Sequence, residues 1–134
     1  GLLGAGVGAA ETLSNEIVVS TAPPERAGAA SAVSETAYEL GAVLGTAVLG
    51  GVVSAVYRSS LVIPEGVGVA DGAAARETLA GALDVADRLP VPLGDALAQA
   101  AMTAFDDGAL ATALTGAALM AIAIVVALRT LRKA

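Results

Sequence analysis

From Leu40 to Tyr57 the chain runs eighteen residues without a charge, dense in glycine, alanine and valine. Wound as a helix, that run is about 27 Å long, close to the hydrocarbon thickness of a bilayer. Just before it stand Glu35 and Glu39, four residues apart. That spacing puts both acids on one helical face, with their β-carbons roughly 6 Å apart. An acid pair at the mouth of a membrane span is costly to keep and points to function. The stretch reads as a transport helix.

The composition agrees with a membrane setting. Hydrophobic residues make up 56% of the chain, charged residues 15% and aromatics 2%, and the mean hydropathy is +0.77. A soluble core of this size lacking large aromatic side chains is unusual, whereas small residues suit close helix packing in lipid. A soluble alanine-rich helical bundle is the competing class; recovery of the chain in a detergent-dependent membrane fraction would exclude it. There is no cysteine and no histidine, so no disulfide and no metal site is expected, nor any other cofactor. A net charge of −6 argues against nucleic acid as a partner. The chain begins at Gly1 and is hydrophobic at once, without the basic opening of a secretory signal. It is expected to be the C-terminal part of a longer membrane protein.

Residues 1–20 read as a transmembrane helix whose start is missing. Glu11 and Glu16 within it are five positions apart, so they point roughly 140° apart and form no joint site. Glu16 reads as an interfacial residue near the span's end, with lining a cavity, as Ser34 on the next span would, as the alternative. Glu11 lies deeper, either lining an internal cavity or belonging to a truncated polar helix. Residues 21–31 form a turn in which Pro23 and Pro24 stop the first helix and Gly28 lets the chain reverse.

A second span is expected over 32–57. Gly41 and Gly45, extended by Ala37, make a close-packing stripe on it, and Tyr57 and Arg58 end it as interfacial anchors. Residues 58–107 change character. Leu79, Leu83, Val85 and Ala86 fall at helical spacing within 73–89, with Asp84, Asp87 and Arg88 on the polar side. After the break at LPVP (89–92), Leu97, Ala101 and Phe105 share a stripe within 93–105. Two amphipathic helices too short and too charged to cross a bilayer follow from this, forming a hairpin that packs on the membrane domain or gates substrate. A third span is expected over 108–128, which carries no charge, followed by a tail, 129–134, with Arg129, Arg132 and Lys133.

The positive-inside rule orients these parts. The basic tail and the turn with Arg26 face the cytoplasm. The loop 58–107, which sets eight acids against three arginines, faces outward.

Enzyme chemistry finds no support. There is no histidine base, no P-loop, and the glycines of GLLGAGVG lack the strand that a dinucleotide fingerprint requires. What remains is carboxylate chemistry at low dielectric. A desolvated carboxyl beside a second acid holds its proton toward neutral pH, and attracts a cation once ionised. Those are the properties needed to exchange protons for a cationic substrate. The bland alternative leaves Glu35 and Glu39 as solvated charges near the cytoplasm.

Residues 23–61, PPERAGAASAVSETAYELGAVLGTAVLGGVVSAVYRSSL, resemble the penultimate-helix region of major facilitator superfamily multidrug exporters, the fourteen-helix drug:proton antiporters of the QacA and EmrB type. The similarity continues through EIVVSTAPPE before that segment and ADRLP and AAMTAFDDG after it. The resemblance implies an all-α integral membrane protein whose three spans are the twelfth to fourteenth helices of such a transporter, with the hairpin extracellular. It places Glu35 at the family's functionally important acid and Glu39 at an often acidic position. Ser34 stands where some members carry a second acid, a departure that bears on the handling of divalent cations.

The function expected is therefore proton-coupled efflux of cationic or lipophilic compounds across a bacterial inner membrane by alternating access. Its partners would be lipid, the remaining helices of the same transporter, protons and the exported compounds. The rival is a small three-span scaffold that oligomerises through its glycine stripe.

Overall fold

The computed structural model describes Gly8, Thr12, Leu13, Glu16, Ile17 and residues 23–132. The expected first span, 1–20, and its junction with the turn fall largely outside the described residues. Two compact units are present, Gly1–Thr46 and Ala47–Ala134. All regular structure among the described residues is helical.

A 3-10 turn at Pro24–Arg26 leads directly into helix α1, Ala27–Ser60. Pro24 serves to start a helix here, because its missing amide costs nothing in a first turn, and the Arg26 amide donates to the Pro23 carbonyl at 2.8 Å. The expected turn over 21–31 is thus corrected at its C-terminal end. Gly28 lies inside α1 and reverses nothing. The helix also runs past Tyr57 to Ser60.

The second unit holds the rest. A loop with a tight turn follows α1; the Val67 amide donates to the Pro64 carbonyl at 3.3 Å. Gly66 takes φ +99° there, a conformation that only glycine adopts without strain. Helix α2 is Val69–Glu77 and helix α3 is Leu79–Ala86. The single helix expected over 73–89 is divided because Thr78 is extended, φ −151° and ψ 156°. Its hydroxyl oxygen accepts from the Gly81 amide at 3.0 Å, capping α3 as threonine does at helix starts.

Helix α4 runs unbroken from Val91 to Leu131. The second amphipathic helix and the third span, expected as separate elements, are one element that also takes in the start of the tail. Asp106, Asp107 and Gly108 contain no proline, so no backbone donor is lost between them. Glycine within a helix costs about 1 kcal/mol against alanine, and packing offsets it. A Cβ on Gly108 would lie 2.9 Å from the Val53 carbonyl oxygen, so glycine lets α4 approach α1 this closely. One turn further, the Thr112 hydroxyl donates to the Gly108 carbonyl at 2.8 Å and reaches the Leu49 carbonyl at 3.5 Å.

The core sits where α2, α3 and the first half of α4 close over the end of α1. It comprises Tyr57, Leu61, Ala75, Ala82, Val85, Ala86, Leu97, Ala101 and Ala104. Five of these nine are alanines, so the helices approach on small side chains. The expected stripes shift accordingly. Leu97, Ala101, Val85 and Ala86 are buried, but Leu83 and Phe105 are exposed, and Ala82 and Ala104 take the inner positions. Tyr57, expected as an interfacial anchor, is 3% exposed.

Two helices among the described residues are long and apolar enough to cross a membrane, α1 with mean hydropathy 1.9 and α4 with 2.3 over their most apolar windows. Scarcely any of either window is buried within the protein. Both helices thus offer apolar flanks to their surroundings, as a lipid-facing helix does.

Candidate functional site

The carboxylate pair lies in the first unit, on α1. Glu35 and Glu39 are both helical, so the four-residue spacing does place them on one face. Both are exposed, and neither makes an ion pair or side-chain hydrogen bond with another described residue. The described residues therefore bring the two acids together and supply no burial. Ser34 beside them is half-buried.

The neighbouring hydroxyls are satisfied locally. Thr36 donates to the Ala32 carbonyl at 2.9 Å and Thr46 to the Ala42 carbonyl at 2.8 Å. Such back-bonding lets a polar side chain sit in an apolar helix without an external partner. Chemically, what this face leaves open is its carboxylate oxygens. Acceptor-only groups one turn apart can take up a proton or pair with a cation.

The other expected positions fare differently. Glu16 is exposed, and Glu11 lies outside the described residues. A Cβ added at Gly41 or Gly45 would meet nothing within 4 Å, so their stripe packs against no described residue. No group of three or more acids, cysteines or histidines is placed to hold a metal among the described residues.

A close helix approach that the glycine pattern of 41 and 45 does not reveal is made in the second unit, by Gly108 and Thr112 against Val53 and Leu49. The signal was present as small residues at 108, 112 and 116, the same four-residue rhythm one helix later. Gly116 continues the row, its Cβ position 4.0 Å from the Leu49 side chain.

The chain is similar to transport and resistance proteins. It is 47% identical over 115 residues to the multidrug efflux pump LfrA of Mycolicibacterium smegmatis, a match covering 86% of this chain and 23% of that protein. It is 36% identical over 104 residues to the methyl viologen resistance protein SmvA of Salmonella typhimurium, covering 78% of this chain and 21% of the relative. The chain thus spans less than a quarter of the length of these curated relatives. No protein-family profile and no solved structure matches it.

Proposed function

We propose that this chain is the C-terminal part of a proton-coupled multidrug efflux transporter of the major facilitator superfamily, in a bacterial inner membrane. The observation that carries the reading is the 47% identity over 115 residues to a protein named as a multidrug efflux pump. Two long apolar helices with exposed flanks, α1 and α4, support it.

In this reading three spans cross the membrane, the third being supplied by residues 1–20. The C-terminus is cytoplasmic and the α2–α3 region extracellular. Glu35 takes up a proton or pairs with a cationic compound, and Glu39, one turn away on the same face, tunes it. Other helices of the transporter pack on the Gly41–Gly45 stripe and shield the two acids from water. Alternating access then exposes the acid face to each side in turn.

Expression of the complete protein in bacteria lacking their own exporters tests this. Accumulation of a fluorescent lipophilic cation should fall when the protein is made, and collapse of the proton gradient should restore it. Accumulation that is the same with and without the protein would overturn the transport reading.

A further inference from the structure

The register of α1 against α4 fixes where a membrane boundary would cross them. On α4 the charge-free stretch begins at Gly108, directly after Asp106 and Asp107. Gly108 lies against Val53, and Thr112 against Leu49. The helices are therefore antiparallel there, and the level between Asp107 and Gly108 meets α1 near Ser54. Arg58 follows four residues later, about 6 Å further along the axis. The polar layer outside the hydrocarbon is about 5–7 Å deep on each side. Arg58 thus stands at the depth of lipid phosphates.

Arg76 is held at the same place, its Nη1 donating to the Arg58 carbonyl at 3.0 Å. With Glu77 and Thr78, the two arginines line an open groove of 400 Å³, within the ~300–1,000 Å³ range of ligand clefts. The ion pair found among the described residues joins Arg88 to Asp71 and takes up neither arginine. The Thr78 hydroxyl accepts from the Gly81 amide and keeps its hydrogen to donate. Two guanidinium groups and the Glu77 carboxylate give the groove a net charge of one positive unit.

We propose that this groove seats the phosphodiester of a membrane phospholipid, with Arg58 and Arg76 on its oxygens. The planar guanidinium fork matches phosphate oxygens, and a single net positive charge suits a singly charged diester better than doubly charged inorganic phosphate. Thr78 adds a neutral donor. The lipid would tie the end of α1 and the start of α3 to the membrane surface. The inference rests on α1 and α4 crossing a membrane.

The test uses the complete protein. Membranes are first washed with alkaline carbonate. The protein is then purified in detergent, and binding of dioleoylphosphatidylglycerol is followed by native mass spectrometry. Dioleoylglycerol, with the same tails and no phosphate, and inorganic phosphate serve as comparisons. Phosphatidylglycerol should bind, and Arg58→Gln or Arg76→Gln should weaken it by about tenfold, the effect of losing one charge-assisted hydrogen bond. Arg88→Gln should leave it unchanged. Because Arg58 is exposed and its side chain makes no hydrogen bond or ion pair with a described residue, its variant decides the matter if Arg76→Gln fails to fold. Equal binding by wild type and Arg58→Gln would overturn the proposal. So would equal binding of dioleoylglycerol, or displacement of the lipid by inorganic phosphate at matching concentration. Release by carbonate would overturn the transport reading along with it, whereas carbonate resistance without a phosphate preference would sink the lipid site alone.

Discussion

The Tyr57 hydroxyl donates to the Ala75 carbonyl at 2.8 Å, joining residues eighteen apart in the chain. Ala75 is in the last turn of α2, where the carbonyls have no partner within the helix. The next residue on each side repeats the pattern, with the Arg76 guanidinium on the Arg58 carbonyl in the last turn of α1. Two helix ends are thus satisfied by side chains exchanged between them. The cap formed by α2 and α3 is latched to α1 at these points.

Tyr57→Phe removes the hydroxyl and leaves the buried Ala75 carbonyl without its donor. A loss of about 1–3 kcal/mol in stability is expected, read as a lowered thermal midpoint of the purified protein. An unchanged midpoint would show that the bond contributes nothing to holding the cap.

Gly108 and Gly41 should respond in opposite senses to alanine. At Gly108 a Cβ would press on the Val53 carbonyl at 2.9 Å. Gly108→Ala should therefore destabilise by about 1–3 kcal/mol through overpacking. At Gly41 a Cβ meets open space, and Gly41→Ala should raise the intrinsic helix stability of α1 by up to about 1 kcal/mol. If, as proposed, the chain is part of an exporter whose other helices pack on that stripe, the same Gly41→Ala change should nonetheless reduce export. Thermal unfolding and dye efflux, measured on both variants, separate the two effects.

Thr78→Ala should cost about 1 kcal/mol by removing the cap of α3, and Thr78→Ser should restore most of it. Hydrogen exchange at the Gly81 amide is the direct readout: faster in the alanine variant, near normal in the serine one.

The apolar runs of α1 and α4 were legible because eighteen or more uncharged residues leave few alternatives, and Pro90 and Pro92 marked the start of α4 within two residues. The fusion of 93–105 with 108–128 was not legible. A pair of aspartates and a glycine resemble a loop, and only the contact of Gly108 with Val53 makes glycine useful inside a helix. The alanine core hid for a related reason. Alanine contrasts weakly with its neighbours in hydropathy, so Ala82 and Ala104 were passed over for the larger Leu83 and Phe105. Tyr57 was misplaced because an aromatic residue at the end of an apolar run fits a membrane interface as well as a core. Its partner at Ala75 depends on a tertiary fold that spacing does not encode. At the carboxylate pair the sequence was sufficient for the shared face of Glu35 and Glu39, which local helical geometry dictates. The shielding proposed for them is not something that spacing along one helix encodes, and both are exposed among the described residues.

In the function proposed above, Glu35 takes part in exchanging protons for cationic compounds. The direct measurement is uptake of a lipophilic cation into liposomes carrying the complete protein under an imposed pH gradient, comparing wild type with Glu35→Gln. At least a tenfold loss of gradient-driven uptake is expected, on the order of what removing a charged hydrogen-bonding partner brings, with the variant present in the membrane at wild-type amounts. Glu39→Gln should cause a smaller loss. Wild-type uptake by Glu35→Gln would remove Glu35 from the mechanism.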